Sequence, residues 1–406
     1  MQTKLSNTLL KTSAGQEAER ILRSCVHCGF CTATCPTYQL LGDERDGPRG
    51  RIYLLKQVFE GKAVTRLTQL HLDRCLTCRA CETTCPSGVE YGKLLQTGRN
   101  MVEQQVSRSL LQKIMRWGFI RFLPYPQRIL PFIKFAMLFK VILPESLTAS
   151  LPDKADNLKW PEHSHARKVI LPGGCMQSVL SPEIDNSTAY VLDQLGISVI
   201  RSGGCCGAIQ HHLSAEEKAR AQAKANIDTW WPMINTGAEA ILSTASGCGV
   251  MLKEYEHLLK DDPLYRKKAK QVSLLTKDLI ELLCDEDASK LQTLAKRHSG
   301  QTISFHSPCT LQHGQQLNGH VEKLLHKMNI HTNTINDSHL CCGSAGTYSL
   351  TQPVLSRKLR DNKIENLMAA QPRMITTANI GCLLHLTKTS PVPVMHWIQL
   401  LDNRIS

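Results

Sequence analysis

The sequence has no run of eighteen uncharged apolar residues, which excludes a conventional membrane-spanning helix. It also lacks a G-x-G-x-x-G stretch, so the familiar fingerprint of a bound dinucleotide or flavin is missing. The opening MQTKLSNTLLKTSAGQEAER has no apolar segment leading to a small-residue cleavage site, and a cytoplasmic location is therefore expected. Acidic residues are scarce relative to basic ones, 35 against 48, for a formal charge of +13. The basic residues are dispersed and accompany no nucleic-acid motif, so nucleic acid is not the expected partner. An anionic lipid surface, an acidic partner or solubility alone would account for the excess.

What is abundant is cysteine, 17 in 406 residues. In a cytoplasmic chain thiols stay reduced, and this many point to metal ligation or redox work rather than disulfides. The length suits two or three domains.

Residues 25–36 read CVHCGFCTATCP and residues 75–86 read CLTCRACETTCP, two C-x2-C-x2-C-x3-C-P runs. This is the two-cluster ferredoxin pattern, in which the fourth cysteine of each run serves the other cluster. The expected ligand sets are Cys25, Cys28, Cys31 and Cys85 for one [4Fe-4S] cluster, and Cys75, Cys78, Cys81 and Cys35 for the second. Zinc also accepts C-x2-C pairs, but two complete frames each closed by proline (Pro36, Pro86) favour cubanes. Each oxidised cubane with its thiolates carries roughly −2, which offsets part of the basic excess. Gly29 and Ala80 are expected to leave room beside the sulfides. Between the runs a helix is expected after Pro48, with Ile52, Leu55, Val58 and Phe59 on one face. The 50-residue offset suits a helical ferredoxin, and Arg49 and Arg51 are equally placed to screen cluster charge or to be solvated.

Residues 104–144 contain no acidic residue. Arg108, Lys113, Arg116, Arg121, Arg128, Lys134 and Lys140 alternate there with Trp117, Phe119, Phe122, Phe132, Phe135 and Phe139. Two readings stay open: a basic amphipathic segment lying in an anionic membrane interface, or a linker packing its apolar face on the ferredoxin domain or a partner subunit.

The second half is a repeat. Copy one carries Cys175, the pair Cys205 and Cys206, and Cys248; copy two carries Cys309, the pair Cys341 and Cys342, and Cys382. The first cysteine precedes the pair by 30 and 32 residues, and the last follows it by 42 and 40. KVIL, ISVI and AEAILST, then TISF, HTNTI and RMITT, read as short buried strands separated by helical stretches, so a parallel sheet is expected in each copy. Every cysteine then falls beyond a strand's carboxyl end, the ligand-binding edge of open α/β sheets. Gly173, Gly174, Gly203, Gly204, Gly207 and Gly343 would allow tight turns there, and two such edges facing each other would share one crevice. The eight cysteines are expected to ligate a further iron-sulfur cluster or to act as redox thiols. Cys284 reads as structural, and His212, His306, His313, His339 and His385 as hydrogen-bonded scaffold.

The stretches RSCVHCGFCTATCPTYQLLGDERDGPRGRIYLLKQV, HLDRCLTCRACETTCPSGV, TASGCG, DSHLCCGSAGTYSLTQP and TANIGC carry a resemblance over nearly the whole chain. By them the chain resembles the heterodisulfide-reductase-like iron-sulfur subunits, those of glycolate-oxidising complexes more closely than those of anaerobic glycerol-3-phosphate dehydrogenase or lactate utilisation. The resemblance implies an α+β multidomain fold: a helical ferredoxin domain (1–103), a basic helical connector (104–165) and two α/β CCG domains (166–295, 296–406). It further implies an electron-transfer subunit of an oxidoreductase complex, with no flavin of its own. An FAD-binding partner would oxidise glycolate or D-lactate to the 2-oxo acid, and electrons would pass toward the quinone pool at the cytoplasmic face of the inner membrane. Related lactate or glycerol-3-phosphate dehydrogenase complexes, and a CCG-type disulfide reductase, are the alternatives. One departure is that Ala245 and Asn379 stand where fuller CCG domains have the first cysteine of a closing C-x-x-C.

Overall fold

In the computed structural model, residues 1–138 and 158–405 are described. Phe139, Lys140 and the rest of the connector up to residue 157 lie outside them.

The N-terminal part is helical. Ser13–Ser24, Pro48–Phe59, Arg66–Asp73 and Tyr91–Gln105 enclose a core of Ile21, Leu22, Ile52, Leu55, Val58, Phe59, Leu72, Leu94 and Leu95. Ile52, Leu55, Val58 and Phe59 recur at helical spacing, so one face of their helix is apolar and goes inward. Pro48 opens that helix at N1, where its missing N–H is no loss. Gly98 lets Tyr91–Gln105 cross it closely, because a β-carbon there would collide with Leu55.

The second half holds two parallel four-stranded sheets. The first has strands β1 (Arg167–Pro172), β2 (Ile197–Ser202), β3 (Ala240–Ser243) and β4 (Thr276–Asp278), in the order β2-β1-β3-β4. The second has β5 (Thr302–His306), β6 (His331–Thr332), β7 (Ile375–Thr377) and β8 (Val394–His396), in the equivalent order β6-β5-β7-β8. Helices such as Pro182–Gln194, Glu216–Asn235 and Pro353–Met368 make the crossovers that parallel pairing requires. The expected parallel sheets are present, with β4 and β8 added to the three strands read from the sequence in each copy. A single cluster of buried residues, including Val169, Leu171, Ile184, Leu279, Phe305, Leu325 and Trp397, runs through both copies.

The copies meet at their cysteine-bearing ends. Ser246 N–H donates to Ala378 O (3.1 Å), and His396 Nε2 lies 2.9 Å from Thr244 O. The helical part docks on both copies. Glu17 pairs with His257 (2.9 Å) and Lys260 (2.7 Å), Arg79 pairs with Glu254, and Tyr348 Oη donates to Arg74 O (3.1 Å).

The connector begins with helices Leu110–Phe122 and Pro126–Leu138. Two of its cations turn inward: Arg108 pairs with Asp73 (2.6 Å) and Glu103 (2.7 Å), and Arg116 Nη2 donates to Leu213 O (2.7 Å). Leu110, Leu111, Ile114, Trp117 and Phe132 face out, each more than half exposed. The apolar face is therefore not packed on the ferredoxin domain, which removes that part of the second reading. No helix among the described residues is long and apolar enough to cross a membrane.

Candidate metal centres

Each cysteine run wraps in the same way. His27 and Gly29 in the first run, and Thr77 and Arg79 in the second, adopt positive φ between successive cysteines. Alternating handedness keeps three thiols turned toward one point. The fourth cysteine follows a one-turn helix, Phe30–Ala33 or Ala80–Thr83, and Pro36 then starts the next helix after Cys35.

The thiols fall into two crossed groups. Burial pushes Cys25 up, with Cys85 and Cys28 adding to the shift. Cys31 rises to about 11 from burial first, then from Cys25, Cys85 and Cys28. Burial likewise raises Cys78 and Cys81, and Cys35 and Cys75 are neighbours of both. Cys25, Cys28, Cys31 and Cys85 line one small cavity, which Cys81 also reaches, so the two groups are adjacent. Four converging soft donors per group are the donor set that a [4Fe-4S] cluster takes. Cys28 is exposed and Phe30 is 61% exposed, whereas Ala80, at Phe30's place in the second run, is buried. The first group thus reaches the surface and the second faces inward.

Of the charges around the second group the sequence pointed to Arg51 but not to its partners Asp46, His71 and Arg74. Asp46, fully buried, meets Arg51 (3.5 Å), Arg74 (2.8 Å) and His71 Nδ1 (3.0 Å). Arg51 donates to His71 O (2.8 Å) and to Thr37 Oγ1 (3.1 Å), and its Nη1 lies 4.0 Å from Cys35 Sγ. Burial works against the Arg51 charge, but Cys75, Tyr91, Cys35 and Asp46 hold its pKa above the ordinary value. Arg51 is therefore not solvated. Arg49 pairs with Glu44 (2.7 Å) and lines the cavity of the first group.

Beyond the second group lies a cavity of about 490 Å³ where the helical part and both copies meet. Cys75 and Cys78 line it, together with Cys175, Cys205, Cys206 and Cys248 of copy one and Cys309, Cys341 and Cys382 of copy two. It is the shared crevice expected from the repeat. Cys309 and Cys341 also pack with Leu76, Cys78 and Tyr348, which brings copy two next to the second ferredoxin group.

Within copy one, hydrogen bonds from Cys175 and Cys206 favour the Cys205 thiolate and push its pKa well below the usual thiol value. In copy two Cys309, Cys341 and Cys342 rise instead, through hydrogen bonds to Cys341, Cys342 and Cys382 respectively and then through burial. Cys309 Sγ lies 3.7 Å from Cys341 Sγ. Asn379 takes the place of the missing fifth cysteine usefully: its Nδ2 donates to Cys382 Sγ (3.5 Å) while its Oδ1 accepts from Gly247 N–H of copy one (3.3 Å). Gly343, at φ +88°, has room for no β-carbon, which would sit 2.6 Å from Ser356 O.

His313 bonds Thr83 (3.0 Å) and His339 O (3.0 Å), and His385 bonds Ser356 (3.1 Å), as scaffold histidines do. His306 differs, since its Nε2 is buried with no hydrogen-bond partner among the described residues. Cys284 ends helix Leu279–Cys284, the helix read for it, with its side chain exposed.

Comparison with known proteins agrees with this organisation. A family model described as "4Fe-4S dicluster domain" matches residues 21–89, and one described as "Cysteine-rich domain" matches 171–253 and 303–387. The chain is 53% identical to the glycolate oxidase iron-sulfur subunit of Escherichia coli (strain K12), covering 100% of this chain and 99% of that protein. It is 31% identical to the probable glycolate oxidase iron-sulfur subunit of Bacillus subtilis (strain 168), covering 90% and 88%. Lactate utilization protein A of the same organism is 26% identical over 58% of this chain and 100% of its own length.

Proposed function

Because the chain belongs to the family of glycolate oxidase iron-sulfur subunits, we propose that it relays electrons from an FAD-binding partner subunit, which oxidises glycolate to its 2-oxo acid, toward membrane quinones. Cys25, Cys28, Cys31 and Cys85 would hold one [4Fe-4S] cluster, and Cys75, Cys78, Cys81 and Cys35 the other. Bound there, the clusters supply one-electron carriers, matched to a flavin that takes an electron pair from a 2-hydroxy acid and releases it singly. This reading divides the chain at residues 103, 165 and 295.

The observation that carries it is the order of the thiol groups: one at the surface beside exposed Cys28, one turned toward the inner cavity, then the copy-two cysteines beside Cys78. Buried Arg51 places a positive charge against the inner group, offsetting thiolate charge that burial would otherwise make costly. Arg79, paired with Glu254, helps fix the inner group against copy one. The CCG cysteines extend the series, as ligands of a further cluster or as redox thiols.

The outward apolar face of Leu110–Phe122, with exposed Lys113 and Arg121 beside it, supports peripheral attachment to the anionic cytoplasmic face of the inner membrane. The test of the relay is anaerobic addition of glycolate to the assembled complex, followed by electron paramagnetic resonance. Reduced-cluster signals should appear within turnover; clusters that stay oxidised while the flavin is reduced would overturn the reading.

A further inference from the structure

His306 ends β5, an inner strand of its sheet, where His306 pairs with Thr377 of β7. It is 2% exposed, and its Nε2 has no hydrogen-bond partner among the described residues. Buried ring nitrogens are ordinarily hydrogen-bonded, because an unpaired one forfeits its hydration without return. The nitrogen is not isolated from chemistry, however. Donor atoms of His306, Cys342 and Cys382 all lie within 4.8 Å of one another. Metal–thiolate and metal–imidazole bonds of about 2.3 and 2.0 Å put two ligands of one tetrahedral ion roughly 3.5–3.8 Å apart, a spacing that three donors within 4.8 Å of one another reach by small side-chain movements. Cys341 is the chain neighbour of Cys342, and Cys309 Sγ stands 3.7 Å from Cys341 Sγ, which brings the donors at this end of the sheet to five.

We propose that His306 Nε2 is a ligand of an iron-sulfur cluster held in copy two by Cys309, Cys341, Cys342 and Cys382. The proposal rests on the reading above that these cysteines bind a cluster rather than act as free thiols. Five donors exceed the four of a closed zinc site, and imidazole in place of thiolate on an iron is established cluster chemistry. Asn379 Nδ2 donates to Cys382 Sγ and so gives that thiol a hydrogen bond rather than a metal donor, whereas a ring nitrogen of His306 stands among the thiols of Cys342 and Cys382. Copy one has no counterpart. Pro172 ends β1 three residues before Cys175, as His306 ends β5 three residues before Cys309, and proline offers no ring donor. The two copies are thus chemically unequal, and the one carrying the histidine packs Cys309 and Cys341 with Leu76 and Cys78 of the second run.

The experiment uses the full chain purified anaerobically, as wild type, His306→Ala, His306→Cys and Cys309→Ser. Iron, zinc and acid-labile sulfide are counted per chain, and pulsed electron paramagnetic resonance reads nitrogen coupling. His306→Ala should lose about four irons per chain while the ferredoxin signals persist. His306→Cys should regain the iron but lose a strong ¹⁴N coupling present in the wild type, a result that also answers for any folding defect in the alanine variant. Nitrogen coupling that survives in His306→Cys, or stoichiometric zinc in the wild type, overturns the proposal. If Cys309→Ser loses iron and His306→Ala does not, only the histidine assignment falls; if neither loses iron, the cluster reading of copy two falls with it.

Discussion

Cys35 and Cys85 are the residues on which the crossed arrangement depends, since each closes the group centred on the opposite run. Cys35→Ser should cost about four irons and the signal of the inner cluster, while Cys85→Ser should cost the outer one. Iron analysis with electron paramagnetic resonance of the two variants checks this; loss of the cluster in the same run would reverse the assignment. Arg51 carries a second prediction. Its removal leaves Asp46 buried with one cation fewer, so Arg51→Ala should destabilise the helical part by about 3 kcal/mol, measured by denaturant unfolding of the cluster-loaded chain. The eight run cysteines stood out in the sequence because their spacing is local. Spacing left Arg51 between screening and solvation and read His306 as scaffold, because what decides their roles is burial and a neighbour contributed by another segment: His71 and Cys35 for the arginine, Cys342 and Cys382 for the histidine.

Among the elements, helix Pro48–Phe59 was legible from the 3.6-residue recurrence of its apolar positions, and β1, β2 and β3 from their short apolar runs. Strands β4 and β8 are three residues each, too short to leave a period; they are strands because a neighbour pairs with them. The helix Leu110–Phe122 shows another limit. Its amphipathic pattern was visible, but only the ion pairs of Arg108 and Arg116 with the helical part decide which face points out. Replacing Leu111 and Trp117 by glutamate should lower the membrane-bound fraction of the complex severalfold at low salt, with cluster content unchanged, in co-sedimentation with anionic vesicles. An unchanged bound fraction would argue against this face as the attachment site. Gly98→Ala, which drives a methyl into Leu55, should destabilise the helical part by about 2 kcal/mol in the same unfolding measurement.

At the scale of the whole molecule, the joint between the two copies is sensitive to acid. Burial pushes His396 down to about 3, against a smaller opposing effect of its hydrogen bond to Thr244 O. The unfolded chain therefore binds a proton near pH 6.5 that the folded chain refuses until about pH 3. The stability His396 contributes is present above pH 6.5 and declines as pH falls toward 3. Between pH 7 and 5.5 the wild type should lose about 1 kcal/mol more than His396→Gln, which does not titrate. Thermal unfolding of both proteins at the two pH values makes the comparison; parallel losses would exclude His396 as the cause.

Spacing and periodicity, which are properties of neighbours along the chain, determined the two ferredoxin runs, the helix between them, the repeat and the parallel sheets. Tertiary structure alone decided how the parts face one another: that the outer thiol group is open to solvent, that the inner one abuts copy two, and that His306 rather than a fifth cysteine stands beside Cys342 and Cys382. The physical reason is that ligation, burial and charge compensation act through space over a few ångströms, between residues as far apart in the chain as Cys78 and Cys309. No local pattern encodes such distances, and the fold sets them only when its hydrophobic clusters close.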